Sequence, residues 1–273
     1  MDNLSDIRIK ESALTERIKA AGKLAVAFSG GVDSTYLVYK AHEVLGDNAL
    51  AITIRSQVLI NEDFEWTVEF CRSIGVKQVV IDCDVFDAEK FENNPPDRCY
   101  YCKKMDFDAI KKAAAEYGIT EVADGSNVDD TGDYRPGMRA MKELGIVSPL
   151  KESGLTKNDI RSLSKEAGLP TWDKPAAACL ASRFVYGEKI TTEGLIRVAN
   201  AEKFIRDLGF KGIRVRVHGD IARIEVRDTD IAKIASEPVR RKVSEELKRL
   251  GFKYVTIDID GYRTGSMNEV LDI

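Results

Sequence analysis

The sequence predicts an α/β fold: a doubly wound parallel sheet with a smaller C-terminal α+β domain. Three observations predict it. Apolar runs at 24–28, 49–54 and 78–83 alternate with helical patterns in a short cycle, the order that builds a parallel sheet covered on both faces. The first run turns through Ser29-Gly30-Gly31 directly into a helical pattern. Beyond about Lys189 the texture changes to two alternating strands and a charged helix. The expected domains are therefore 1–188 and 189–273.

Each element has its own signal. Residues 5–22 read as an amphipathic helix with Ile7, Leu14, Ile18 and Ala21 on one face. Strand one covers Leu24 to Phe28, and the helix after the loop runs to about Leu45, closed by Gly46-Asp47. Strand two is Ala49 to Ile54, and Arg55 follows its carboxyl end, where ligands sit in such sheets. A helix over Asn61 to Ile74 leads to strand three, Gln78 to Cys83. A polar stretch ending in Pro95-Pro96 precedes Cys99-Tyr100-Tyr101-Cys102, which opens a helix to about Tyr117. Strand four, Glu121 to Ala123, enters a loop rich in Asp and Gly at 124–137, read as an active-site loop. Residues 139–145 are expected to be helical and 146–150 to form a short strand. Thr156 is a plausible cap for the next helix. In the second domain a helix at 192–208 precedes strands at 213–217 and 222–226, joined at His218-Gly219-Asp220 by a tight hairpin. One helix over about 229–250 and a last strand at 254–259 complete the chain.

Composition bounds the function classes. The 273 residues are 44% hydrophobic and 32% charged, with a formal net charge of −4. That balance suits a globular chain and argues against broad nucleic-acid binding. No apolar run is long enough to span a bilayer, and the first residues lack the basic and apolar regions of a signal peptide. A cytoplasmic address is expected. The five cysteines, at 71, 83, 99, 102 and 179, are an odd number in a chain neither short nor secreted. Metal or redox chemistry is a better expectation for a cluster than a disulfide framework.

The Ser29–Ser34 turn is an anion site by construction. Gly30 and Gly31 let the backbone approach a ligand, the first helical turn offers unsatisfied N–H groups, and Ser29 and Ser34 add hydroxyls. It is neither a Walker A loop nor a dinucleotide fingerprint, because the Gly-Lys pair of the one and the third glycine of the other are missing. The hexapeptide Ser-Gly-Gly-Val-Asp-Ser resembles the PP-loop of the ATP pyrophosphatases. That resemblance implies an adenine nucleotide alpha hydrolase-like domain that splits ATP into AMP and pyrophosphate while adenylating a substrate. In it, Ser29, Gly30, Gly31 and Ser34 hold pyrophosphate and Asp33 helps place Mg²⁺ or the loop itself. Arg55 and Gly125 are further candidates for the ATP site.

Cys99 and Cys102 lie at the head of a helix, where two thiols reach one metal and the helix N-terminus favours thiolate. Alone, the pair reads as zinc, disulfide redox or iron–sulfur. Cys179 stands in a stretch of small residues with Arg183 close behind. Neither histidine has ligand-like spacing to these cysteines, so a fourth zinc ligand is missing. Three thiolates suit a 4Fe–4S cluster with one iron open to an exogenous ligand. Cys71 and Cys83 fall in apolar patterns and read as core.

Pro170-Thr171-Trp172-Asp173-Lys174-Pro175 and Ala178-Cys179-Leu180-Ala181-Ser182-Arg183, with Asp124 to Asn127 and Arg135-Pro136-Gly137, resemble the LarE family. The resemblance covers nearly the whole chain. It implies an ATP-dependent sulfur transferase that helps build the nickel-pincer nucleotide cofactor. ATP adenylates a carboxylate of a pyridinium dicarboxylate mononucleotide, and sulfur then displaces AMP to give a thiocarboxylate. Family members divide by sulfur source. In one kind a lone cysteine, matching Cys179, yields its own sulfur and becomes dehydroalanine. In the other, three cysteines hold a 4Fe–4S cluster whose open iron carries sulfide. Cys99 and Cys102 beside Cys179 place this chain with the second kind, fed by sulfide or another sulfur donor. Arg183, Arg214 and Arg263 are candidates for the substrate phosphate, since guanidinium grips phosphate in a bidentate fork. The resemblance also implies a homo-oligomer, a hexamer built from trimers. The rivals are a tRNA thiolase, an amidotransferase synthetase and a non-enzymatic nucleotide-binding module.

Overall fold

The computed structural model describes residues 2–59, 61–131, 136–175, 178–263 and 266. The chain divides into two compact units: Met1–Glu89 with Asp97–Ala177, and Lys90–Pro96 with Ala178–Ile273.

The first unit contains helices α1 (Asp2–Ala21), α2 (Val32–Leu45), α3 (Asn61–Ile74), α4 (Arg98–Glu116), α5 (Pro136–Glu143), α6 (Pro149–Glu152) and α7 (Lys157–Glu166). Its strands are β1 (Leu24–Ala27), β2 (Ala49–Arg55), β3 (Lys77–Asp82) and β4 (Val122–Ala123), in the order β3-β2-β1-β4. Every pairing is parallel, with Leu24 beside Ala49, Ala25 beside Val122 and Leu50 beside Lys77. All four carboxyl ends therefore meet at one edge. The chain proceeds from β1 outward to β3, then returns to place β4 on the other side of β1. The sheet's topological switch point thus lies between β1 and β4, where a ligand crevice forms.

The apolar periodicity of the sequence becomes the two faces of this sheet. Leu14 and Ile18 of α1 pack with Leu24, Val26, Leu37, Phe70 and Cys71 in one buried cluster. On the other face Ala25, Leu50 and Ile52 meet Phe107 and Ile110 of α4. The expected strand at 146–150 reduces to a single parallel bridge from Val147 to Ala123. Pro149 opens α6 instead, because proline has no N–H to give a ladder but fits the first turn of a helix.

The second unit has α8 (Thr192–Asp207), β5 (Arg214–His218), β6 (Ile221–Glu225), α9 (Ile231–Ala235), α10 (Val239–Arg249) and β7 (Tyr254–Ile257). Its sheet runs β5-β6-β7, the hairpin antiparallel and β6-β7 parallel. The helix expected over 229–250 is two helices, since Pro238 interrupts the N–H ladder between α9 and α10. The junction expected at 188/189 lies inside this unit. Asn94 Nδ2 donates to the carbonyls of Phe184 and Val185, and Phe184 bridges to Val217. Among the described residues no helix is long and apolar enough to cross a membrane.

Candidate active site

The Ser29–Ser34 loop leaves the carboxyl end of β1 at the switch point and enters α2. Gly30 takes φ +74°, the left-handed region that a side chain disfavours. It also lies against α3: a Cβ there would sit 2.9 Å from Thr67 Cγ2 and 3.4 Å from Trp66 Cε3. Thr53 Oγ1 donates to the Phe28 carbonyl at 2.9 Å and fixes the strand's last turn. Ser29 Oγ and Ser34 Oγ lie 3.2 Å apart, so both hydroxyls face one space. The Gly31 carbonyl accepts from Thr35 N at 2.9 Å, the first bond of the helix. The N–H groups ahead of that bond are the donors such a turn presents.

Gly125, just beyond β4, closes the other wall. A Cβ there would lie 3.0 Å from Ser34 N and 3.3 Å from its Cα, so only glycine lets this strand end approach the start of α2. Next to it Asp124, 7% exposed, accepts Ser148 Oγ at 2.6 Å and also Ser126 Oγ. Asp33 is paired with Lys157 and accepts Asn127 Nδ2 at 3.3 Å. Arg55 ends β2 on the same edge, exposed, with Nη2 donating to Asp82 Oδ2 at 2.7 Å. The structure therefore gathers Ser29, Gly30, Gly31, Asp33, Ser34, Arg55 and Gly125 along one sheet edge.

Three residues without a role in the sequence pattern join them. Lys174 donates to the Gly30 carbonyl at 3.0 Å and pairs with Asp63 at 2.8 Å. Lys157 neutralises Asp33. The two lysine contacts with the loop span 144 and 124 residues, and no local pattern announces them.

Cys99 and Cys102 occupy the first turn and a half of α4, the former exposed and the latter half-buried. Helix α5 packs close to this turn through Gly137, where a Cβ would meet Lys103 Cγ at 3.0 Å and the Cys99 carbonyl at 3.3 Å. Arg135, from the same motif, lies outside the described residues. Cys71 is core, and burial pushes its thiol up to about 12. Cys83 is half-buried just past β3, and burial, then Asp106, raises its pKa.

Cys179 belongs to the second unit and is exposed, immediately before a 3-10 turn at Leu180–Arg183. Arg183, expected at the substrate phosphate, is 2% exposed and turned into the protein. Its Nε and Nη2 hold both oxygens of Glu202 at 2.8 and 2.9 Å. Its Nη1 donates to the carbonyls of Ala178 and Cys179 at 2.8 and 3.0 Å. With all three nitrogens engaged, it is an internal anchor for the cysteine segment. Arg214 is half-buried with its guanidinium 5.1 Å from the Tyr262 ring centroid. Burial, then the nearby Arg183, pulls its pKa below the ordinary arginine value. Arg216, 5% exposed, pairs with Glu225 at 2.8 Å, and its Nε meets no acceptor among the described residues. Arg263 pairs with Asp260 at 3.0 Å.

Among the described residues, neither unit holds three His, Cys, Asp or Glu side chains arranged for a metal ion. Of the three candidate ligands, Cys99 and Cys102 belong to the first unit and Cys179 to the second, each at least partly accessible. Soft, accessible thiols are the donor chemistry an iron–sulfur cluster takes.

Comparison with known proteins bears on the whole chain. The NAD synthase family model matches residues 7–123. The pyridinium-3,5-bisthiocarboxylic acid mononucleotide synthase of Lactiplantibacillus plantarum is 38% identical over 98% of this chain and 97% of its own length. An uncharacterized protein of Synechocystis is 42% identical over 90% of this chain and 92% of its own. An uncharacterized protein of Methanocaldococcus jannaschii is 33% identical over 94% of this chain and 97% of its own.

Proposed function

We propose a specific reaction for this chain, which belongs to the LarE family of ATP-dependent sulfurtransferases: conversion of the carboxylates of a pyridinium dicarboxylate mononucleotide to thiocarboxylates, a step in nickel-pincer cofactor assembly. The observation that carries the reading is the match along the full chain to a synthase of the bisthiocarboxylic product, combined with a glycine-lined anion loop at the sheet's switch point.

The chemistry follows from the substrate. A carboxylate is a poor electrophile, and its oxygen is a poor leaving group. Its oxygen attacks the α-phosphorus of ATP, the α–β bridging bond breaks, and pyrophosphate departs. Sulfide then attacks the acyl carbon, and the carbon–oxygen bond to AMP breaks. Ser29, Ser34 and the N–H groups of Gly30, Gly31 and the α2 first turn bind pyrophosphate, where fixed donors stabilise developing charge best. Asp33 is a carboxylate for Mg²⁺, and Lys157 pairs with it. Gly125 and Arg55 flank the nucleotide from β4 and β2. In the second unit Arg214, crowded by Arg183 and Arg216, binds the substrate phosphate with Arg263. Burial first, and then like-charge repulsion, lowers the Arg214 pKa, and a dianion relieves the repulsion.

Cys99, Cys102 and Cys179 would hold a 4Fe–4S cluster. When bound, it supplies an iron without a cysteine ligand, to which sulfide attaches. Arg183 positions the Cys179 backbone for that role. The homo-oligomer and the cytoplasmic address belong to the same reading. A second reading rests on the exposure of Cys179, whose sulfur is open to an acyl group. In it the Cys179 sulfur displaces AMP, its Cβ–S bond then breaks by elimination, and dehydroalanine remains.

The test is pyrophosphate release from ATP with a pyridinium dicarboxylate mononucleotide and sulfide. Pyrophosphate and thiocarboxylate formed together over many turnovers support the first reading. A single turnover, with Cys179 lighter by the mass of hydrogen sulfide, supports the second. Release of pyrophosphate only on addition of tRNA would defeat both.

A further inference from the structure

We infer that Lys174 is a positioning residue that sets the nucleotide loop by holding the Gly30 carbonyl. The inference rests on the reading that this loop receives the phosphates of ATP.

The peptide between Gly30 and Gly31 is the loop's least constrained unit. Glycine on both sides removes the Cβ contacts that ordinarily bias a peptide's orientation. Its direction matters, because the Gly31 N–H is one of the donors the loop offers an anion. The bond is trans, and in a planar trans peptide the C=O and N–H point opposite ways. Whatever fixes the Gly30 carbonyl therefore aims the Gly31 N–H.

Lys174 is what fixes it. Nζ donates to that carbonyl at 3.0 Å and pairs with Asp63 Oδ1 at 2.8 Å. It also lies 5.1 Å from the Trp66 ring centroid. Asp63 and Trp66 both belong to α3, the helix on which Gly30 rests. The ammonium is therefore on the α3 side of the loop, and the Gly31 N–H is turned away from it.

Lys174 is itself held. Arg161 on α7 donates from Nη1 to the Trp172 carbonyl at 3.0 Å and from Nη2 to the Lys174 carbonyl at 2.9 Å. Helix α7 has a full capping box, with Thr156 Oγ1 accepting from Asp159 N and Asp159 returning to Thr156 N. That fixes the base from which Arg161 reaches. A stable helix thus sets the strap formed by residues 172–174, the strap aims the lysine, and the lysine aims a donor of the anion site. The same strap continues in sequence to Cys179.

A direct phosphate ligand would behave differently. Asp63 already neutralises the ammonium, so removing Asp63 would release a cation to the nucleotide and tighten binding. In the positioning role Asp63 is the second tether, and its loss loosens the carbonyl's hold.

The experiment measures binding of a non-hydrolysable ATP analogue, with Mg²⁺, by titration calorimetry on full-length protein. The wild type is compared with Lys174→Met, Lys174→Arg and Asp63→Asn, each checked by urea unfolding. Lys174→Met is expected to weaken binding about tenfold, the worth of one charge-assisted hydrogen bond. Lys174→Arg recovers most of it, and Asp63→Asn, near-isosteric, weakens binding about threefold. Unchanged or tighter binding by Asp63→Asn would overturn the inference, as would Lys174→Met within twofold of wild type. Wild-type protein that does not bind the analogue would instead count against the ATP reading.

Discussion

Replacing Gly30 with alanine separates two costs that a glycine loop conceals. At φ +74° the new Cβ strains the backbone, and at 2.9 Å from Thr67 Cγ2 it also collides. Thr67 cannot turn away cheaply, because its hydroxyl donates to the Phe64 carbonyl at 2.7 Å and accepts from Gln78 Nε2 at 3.2 Å. Gly145 supplies the control, with φ +67° and nothing within 4 Å of a Cβ. Strain alone is worth about 1 kcal/mol, so Gly145→Ala should lose about that much and leave nucleotide binding intact. Overpacking against an anchored side chain adds about 2 kcal/mol, so Gly30→Ala should lose about 3 kcal/mol in all. It should also lose most of its affinity for ATP, since the loop must move off α3. Urea unfolding reads the first quantity and calorimetric titration with an ATP analogue the second. Equal stability losses for the two variants, or wild-type ATP affinity in Gly30→Ala, would refute the reasoning.

Other expectations follow from particular contacts. Glu202→Gln leaves the Arg183 guanidinium buried without its carboxylate, which should cost about 3 kcal/mol in urea unfolding. Cys71, held at about 12 by burial, should resist iodoacetamide at neutral pH in the folded protein and react only on unfolding, whereas Cys99, being exposed, should label at once in protein freed of iron. Burial works to raise the Asp159 carboxyl, but hydrogen bonds from Thr156 and Lys10 outweigh it and hold the pKa below the ordinary value. A depressed carboxylate stabilises the fold above its unfolded pKa. That contribution is lost as pH falls through the depressed folded value, so Asp159→Asn should flatten the acid limb of a stability–pH profile.

The loop from Ser29 to Ser34 is legible in the sequence because its function is local: six consecutive residues carry the turn, the donors and the helix start. The order of strands and helices in the first unit is legible for a similar reason, since apolar runs and amphipathic periods are read within a dozen residues. The contacts that complete the site are not local. Lys174 reaches Gly30 across 144 residues, and Lys157 reaches Asp33 across 124. Arg183 shows the opposite failure. A cation four residues from a cysteine reads as a free ligand, and only Glu202 on α8 reveals it as an internal anchor. Pro238 is visible, yet the charged pattern around it reads as one helix. The missing N–H at that position outweighs the continuity of the pattern.

The central claim is that three cysteines hold the group that delivers sulfur. It is tested most directly by iron and acid-labile sulfide analysis of protein prepared without oxygen, wild type beside Cys99→Ala, Cys102→Ala and Cys179→Ala. The account predicts a brown wild-type protein with about four iron atoms per chain, and loss of iron and of repeated turnover in each variant. Colourless, iron-free wild-type protein that still converts its substrate, with Cys99→Ala equally active, would contradict it.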